Sequence, residues 1–163
     1  MSIQHLRIDN RLVHGQVVVA WLQATGSDTI VVANDVIAGD EFQKTMLIAV
    51  SPPGMRERVL TVDEALAYVA DPAHAAERIF LLVKTPADAL RLHRGGIGLS
   101  SMNVGNMAFV VGAKRVSNTV FVSKEDIEAA QALKAEGVSL TCQMMPTSAK
   151  DDFVGLLAKA KLI

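Results

Sequence analysis

Short apolar runs alternate along the chain with segments in which apolar residues recur at helical spacing. The runs Thr29–Ala33 and Ile79–Val83 contain no charged residue and are rich in β-branched or large apolar side chains. This composition is typical of strands buried on both faces of a parallel sheet. Further strands are predicted at residues 3–8, 58–60, 120–122 and 138–142.

Helix signals separate these strands. Thr61 and Glu64 have the spacing of a capping box, and Thr85 precedes Pro86, which suits the first helical position. Helices are predicted at residues 14–24, 40–50, 61–70, 86–93, 124–136 and 149–161. Strands that alternate with helices in this way predict one α/β domain over residues 1–163, with a mostly parallel, open twisted sheet and helices on both faces.

Composition narrows the class of protein. The 163 residues are 50% hydrophobic and carry a net charge of −1, which argues against a broad basic surface for nucleic acid. The lone cysteine, Cys142, lies in a predicted strand and fits a small buried residue. No apolar run approaches the ~20 residues that span a bilayer, and no secretory signal is recognisable. We therefore expect a cytoplasmic protein.

Candidate chemistry is concentrated in residues 7–17, RIDNRLVHGQV. Arg7, Asp9, Arg11 and His14 meet where a predicted strand ends and a helix begins, a position at which parallel sheets commonly bind anions. Each residue also has an ordinary interpretation. The histidine could cap a helix, an arginine could pair with the carboxylate, and Gly15 could relieve crowding in the turn. Composition and spacing alone leave phosphate chemistry as one alternative.

The segment resembles the active-site segment of the B component of enzyme II in the mannose/fructose/sorbose family of the bacterial sugar phosphotransferase system. That family carries Arg-x-Asp-x-Arg-Leu-(Ile/Val)-His-Gly-Gln, and every position is matched here. The resemblance extends over nearly the whole chain through Asn34-Asp35, Pro52-Pro53-Gly54, Asn103-Val104-Gly105 and the terminal run to Phe153.

The resemblance implies a phosphocarrier enzyme. His14 would accept a phosphoryl group on Nδ1 from a phosphohistidine of the A component and pass it to a sugar arriving through the membrane C and D components. Arg7 and Arg11 would neutralise the phosphoryl oxygens, and the backbone N–H groups of Gly15 and Gln16 would assist. Asp9 would fix an arginine or the imidazole, which the sequence leaves open. No metal or other cofactor is implied, and membrane association would occur through the partners.

Residues 95–112 are the least regular part of the pattern. The resemblance predicts a strand at 97–99 and a turn from Asn103 on the active-site side. The family usually has Gly-Gly where this chain has Gly105-Asn106, and asparagine tolerates the left-handed backbone that such a turn would require.

His5, His74 and His93 form no metal-ligand pattern with each other or with Cys142, so no metal site is predicted. Two alternative functions stay open on the sequence: a non-catalytic anion-binding domain, and a hydrolase with His14 and Asp9 as an acid–base pair. The transported sugar and any homo-oligomeric state are not readable from the sequence.

Overall fold

A seven-stranded sheet forms the centre of residues 2–163, which the computed structural model describes. Its strands and those of a separate two-stranded ribbon are β1 Ile3–Asp9, β2 Thr29–Ala33, β3 Arg56–Leu60, β4 Ile79–Val83, β5 Ser101–Asn106, β6 Lys114–Arg115, β7 Phe121–Val122, β8 Ser139–Cys142 and β9 Asp151–Asp152. The helices are α1 Gly15–Thr25, α2 Asp35–Ala38, α3 Glu41–Ala49, α4 Val62–Ala70, α5 Pro86–Arg94, α6 Lys124–Ala135 and α7 Phe153–Lys159, with a 3-10 turn at Pro72–His74.

The first strand occupies the middle of the sheet. The strand order is β3-β2-β4-β1-β5-β8-β9, and every neighbouring pair is parallel except β8 with β9. The carboxyl ends of β1, β5 and β8 therefore meet at one edge, where the turn after β1 leads into α1.

Helices cover both faces of the sheet, as the fold-class prediction stated. On one face α1 packs through Val18, Trp21 and Leu22 against alternate residues of β2 and β4. On the other face α4, α5, α6 and α7 contribute to a larger apolar cluster that includes Val31 and Leu81. All residues of β2 and β4 are buried, which confirms that these two strands are covered on both sides.

Two predicted elements are wrong in position. Residues 97–99 are not a strand, because Gly96 and Gly98 have φ values of 98° and 68°, which interrupt an extended chain. The strand lies instead at Ser101–Asn106, so the predicted turn from Asn103 does not form. Asn106 is an extended residue at the end of that strand.

The last helix begins at Phe153 rather than at residue 149. The two preceding residues form β9, which pairs antiparallel with the end of β8. Asp152 then caps the helix, since its carboxylate accepts a hydrogen bond from the N–H of Gly155 at 2.9 Å. The short helix α2 was not predicted. The Asn34 side chain caps it by accepting a hydrogen bond from the N–H of Ile37 at 3.0 Å.

Among the helices of residues 2–163, none has both the length and the apolar character needed to cross a bilayer.

Candidate functional site

The turn that connects β1 with α1 is fixed by backbone and side-chain contacts. The N–H of Leu12 donates to the carbonyl of Asp9 at 3.0 Å, and the N–H of Asn10 donates to the carbonyl of Asn106 at 3.0 Å. The side-chain amides of Asn10 and Asn106 also hydrogen-bond to each other. Leu12 adopts a left-handed φ of 56° and is buried in the apolar cluster beneath α1. Burial of this side chain holds a backbone conformation that leucine rarely adopts.

His14 occupies the N-cap position of α1 without capping it. Its backbone is extended, with φ of −153° and ψ of 131°, and its side chain makes no capping hydrogen bond. Gly15 follows with φ of 45°, a value that favours glycine. The first N–H groups of a helix have no intrahelical acceptor, so those of Gly15 and Gln16 are available at the exposed start of α1.

The fully buried carboxylate of Asp9 contacts three residues, Arg7, Arg11 and His14. Its Oδ2 accepts from Arg7 Nε at 3.3 Å and lies 3.0 Å from His14 Nε2. Its Oδ1 accepts from the backbone N–H of Arg11 at 3.0 Å. The sequence left open whether Asp9 contacts an arginine or the imidazole, and the structure shows that it contacts both.

The contact between Asp9 and His14 distinguishes the two ring nitrogens. An ionised carboxylate is only an acceptor, so the imidazole must present an N–H at Nε2. In the neutral ring, Nδ1 then carries the free lone pair. The His14 side chain is 19% exposed. One nitrogen is therefore held against the protein, and the other is left for an incoming group.

The two arginines of the motif have opposite surroundings. Arg11 lies at the surface with its side chain 48% exposed, and its Nε is 3.9 Å from Asp9 Oδ1. Arg7 is fully buried and forms an ion pair with Asp9 through Nη2 at 3.2 Å. Burial lowers the pKa of the Arg7 guanidinium, and the nearby Asp9 carboxylate opposes this change. Only Arg11 presents a free guanidinium face to solvent beside His14.

The other histidines lie in different environments. His5 is stacked between Trp21 and Phe80, with ring centroids 4.5 and 5.3 Å away, and burial lowers its pKa to about 4. His74 contacts Glu77 at 3.0 Å, and His93 lies 3.5 Å from Glu136.

Cys142 is buried as predicted, and this burial raises the pKa of its thiol. Within residues 2–163, no group of three or more histidine, cysteine, aspartate or glutamate side chains is arranged to hold a metal ion.

Sequence reasoning placed the segment from Asn103 on the active-site side, but it missed that Asn103, Gln143 and Trp21 surround Arg7. Asn103 Oδ1 and the carbonyl of Gln143 accept hydrogen bonds from Arg7 Nη1, and the Trp21 ring centroid lies 5.5 Å from the guanidinium carbon. Trp21 Nε1 also donates to the carbonyl of Met144 at 2.9 Å. Parallel pairing of β5 and β8 beside β1 brings these residues together, and a local motif carries no signal for them.

Residues 3–163 match the model of the family described as the sorbose-subfamily IIB component of the phosphotransferase system. The chain belongs to this family. This IIB component is 32% identical over 157 residues to the fructose-specific EIIB component of Bacillus subtilis, with 96% of each chain covered. It also superposes on the crystal structure of the IIBSor domain of the sorbose permease from Klebsiella pneumoniae. In that comparison the TM-score is 0.94, the identity 31% and the coverage 98% of both chains.

Some relatives are longer. The mannose-specific EIIAB component of Escherichia coli is 40% identical over 159 residues, which cover 98% of this chain and 49% of that protein. This IIB component therefore spans about half the length of the mannose-specific relatives that it matches.

Proposed function

We propose that this protein is a phosphocarrier enzyme of the sugar phosphotransferase system. His14 accepts a phosphoryl group on Nδ1 from a phosphohistidine of the A component and passes it to a sugar during uptake through the membrane C and D components. One observation carries the proposal. The contact between Asp9 and His14 Nε2 leaves Nδ1 as the free nitrogen beside an uncapped helix start.

In the transfer step, bonds form and break only between phosphorus and the two imidazole rings. The lone pair of Nδ1 attacks the phosphorus of the donor phosphohistidine, a new N–P bond forms, and the donor N–P bond breaks with its electron pair returning to the donor ring. As the new bond forms, positive charge develops on the His14 ring. The buried carboxylate of Asp9, 3.0 Å from Nε2, stabilises that charge.

The phosphoryl oxygens need positive or hydrogen-bonding groups as charge moves between the two rings. Arg11 is the exposed cation of the motif, and the N–H groups of Gly15 and Gln16 lie at the positive end of the α1 dipole. These groups are suited to bind the oxygens in the transition state. Arg7 is buried behind Asp9 and acts on the reaction through that carboxylate.

Apolar side chains near His14 support docking of protein partners. A hollow beside the turn is lined by Arg11, Leu12 and Met46, and Phe42 on the same helix as Met46 is 74% exposed. The consecutive residues Phe109, Val110 and Val111 are also exposed, and Val110 lines a second hollow next to Asn10. Exposed apolar patches of this kind mark interaction surfaces. The same surface would serve the A component and the membrane components in turn, with residues 1–163 acting as one EIIB domain.

The test uses the purified protein, its phosphorylated A component and ³²P-labelled phosphoryl donor. Wild type is expected to gain an acid-labile, base-stable label that maps to His14, whereas His14→Ala gains none and keeps its thermal unfolding midpoint. His93→Ala is the matched control and should label like wild type. A label on His14→Ala, or a label mapped to another histidine, would refute the proposal.

A second arm distinguishes the alternatives. Labelled protein is mixed with candidate sugars, with and without membranes that contain the C and D components. A phosphocarrier loses its label rapidly only when the membranes and the right sugar are both present. Rapid loss to water would indicate a hydrolase. Failure of the wild type to gain any label would indicate an anion-binding domain.

A further inference from the structure

The Arg7 guanidinium lies in a buried pocket behind the candidate site. We call this pocket the slot; it is lined by Asp9, Asn103, Gly105, Gln143 and Met144. Its Nε and Nη2 contact Asp9 Oδ2 at 3.3 and 3.2 Å. Its Nη1 donates to Asn103 Oδ1 and, at 3.1 Å, to the carbonyl of Gln143, while Nη2 also contacts Met144 Sδ at 3.6 Å. Every nitrogen of this guanidinium therefore has a partner inside the protein.

Asn103 fixes the far end of the slot. Its Oδ1 accepts from Arg7, and its Nδ2 donates to the carbonyls of Thr141 and Gln143 at 3.3 and 3.1 Å. The side chain is buried in the middle of β5, and it connects Arg7 with the end of β8. A side-chain amide can accept a hydrogen bond from a cation through its oxygen and donate hydrogen bonds to two carbonyls through its NH₂ group.

Gly105 forms the wall of the slot. A Cβ atom added at position 105 would overlap the guanidinium carbon and both terminal nitrogens of Arg7. The φ of Gly105 is not in the left-handed region, so the backbone itself would accept an alanine. Glycine is required here for the space that it leaves to Arg7, in contrast to Gly15, whose added Cβ would meet nothing within 4 Å.

We propose that Asn103 and Gly105 are positioning residues for phosphoryl transfer. They hold Arg7, Arg7 holds Asp9, and Asp9 holds His14 with its proton on Nε2. This inference rests on the proposed function, since it assigns a role in the transfer from His14 Nδ1. Asp9 is buried and contacts His14 through the same oxygen that accepts from Arg7. If the Arg7 guanidinium were displaced, Asp9 Oδ2 would lose this partner and could move. It would then no longer hold the proton of His14 on Nε2.

Gly105→Ala is the main test, because it removes no hydrogen-bonding group and adds one methyl group against Arg7. Asn103→Ala is the second variant and removes one of the two acceptors of Arg7 Nη1. In both variants the phosphoryl-transfer rate should fall roughly 10- to 100-fold, the size of effect that misplacement of a reacting group produces. Leu92→Ala, in the apolar cluster on the opposite face, is the control for lost stability and should transfer at the wild-type rate.

The decisive readout is the tautomer of neutral His14, followed by ¹⁵N NMR of the labelled ring. Wild type and Leu92→Ala should carry the proton on Nε2 alone, and the two slot variants should show a mixture of both tautomers. A mixture in the wild type would overturn the proposal even if neither variant folds. Slot variants that transfer at the wild-type rate with an unchanged tautomer would also overturn it.

The same experiments distinguish failure of the phosphocarrier function from failure of the positioning role of Asn103 and Gly105. If wild type gains no phosphate on His14, the proposed function fails, whatever the tautomer shows. If wild type is phosphorylated on His14 and the slot variants match Leu92→Ala in rate and tautomer, the phosphocarrier function stands and the positioning role of Asn103 and Gly105 is refuted.

Discussion

Arg7 and Arg11 have the same side chain but opposite environments, four residues apart in the motif. Arg11 is half exposed beside His14, so its charge is free for a ligand. Arg7 is buried against Asp9, Asn103 and the end of β8, so its charge neutralises a carboxylate inside the protein. Substitution of each arginine should therefore produce a different kind of defect.

We expect Arg11→Ala to slow phosphoryl transfer about 10²-fold, because a charge-assisted contact in the transition state is lost. Its free energy of unfolding should change by no more than about 1 kcal/mol, as is usual for exposed positions. Arg7→Ala should instead destabilise the protein by about 3–5 kcal/mol, because Asp9 would lose its buried counter-charge. Transfer kinetics and urea unfolding of the two variants measure these quantities. Equal transfer rates for wild type and Arg11→Ala would show that Arg11 is only a surface charge.

The motif predicted which residues lie together but not the environment of each. Arg7, Asp9, Arg11 and His14 do come together as the sequence predicted. The pattern could not distinguish a buried arginine from an exposed one, because both lie in the same short charged segment. Asn103 and Gln143 accept hydrogen bonds from the buried Arg7, and they are 96 and 136 positions from it in sequence. Their proximity depends on the order of strands in the sheet.

Helix α3 differs from the other α-helices of residues 2–163 because none of its residues is buried. Phe42, Met46 and Ile48 are exposed, and the helix begins beside the hollow that contains Arg11. A helix packed only for its own stability would turn these side chains toward the sheet. The exposed apolar side chains are consistent with the proposed docking of the A component.

We expect Phe42→Ser to raise the KM for the phosphorylated A component by roughly 10-fold or more, the cost of losing an aromatic anchor from an interface. The phosphoryl-transfer rate at saturating A component should stay near that of wild type. Val50→Ser is the matched control. Val50 is also exposed and apolar, but it lies eight residues further along, about 12 Å at 1.5 Å per residue. A KM increase shared by both variants would point to a general effect on the helix and against a docking site at its start.

Element prediction succeeded where one local signal dominated. The bounds of β2 and β4 match the predicted runs residue for residue, because an uninterrupted apolar run has one stable location in a parallel sheet. The strand at residues 97–99 was predicted from a family resemblance and not from a local pattern. It does not form, because Gly96 and Gly98 adopt positive φ. The start of α7 was missed because the pairing of β9 with β8 is a tertiary contact.

Stability of the whole molecule depends on pH through His5. Burial, followed by the charge of Arg7, lowers the pKa of His5 from 6.5 to about 4. The unfolded chain therefore binds more protons than the folded protein between these two values. The contribution of neutral His5 to the free energy of unfolding is therefore fully present above pH 6.5, and it is lost as the pH falls toward 4. A shift of this size corresponds to about 3 kcal/mol.

His5→Phe should remove this dependence while keeping an aromatic ring against Trp21 and Phe80. Urea unfolding of both proteins at pH 7, 5.5 and 4 provides the measurement. The free energy of unfolding of wild type should fall relative to that of the variant by up to about 3 kcal/mol between pH 7 and pH 4. Parallel pH profiles for the two proteins would show that the pKa of His5 is the same in the folded and the unfolded chain, and would contradict this prediction.

The central position of β1 has a consequence for synthesis of the chain. The strand that carries Arg7 and Asp9 leaves the ribosome well before its sheet neighbours β4 and β5. The segment that closes the slot, Gln143 and Met144, comes later still. At 5–20 residues per second, roughly 7 to 27 seconds separate the synthesis of Arg7 from that of Met144, 137 positions later. His14 is thus translated well before Gln143 and Met144, and the pocket that orients it is completed only after these two residues have emerged.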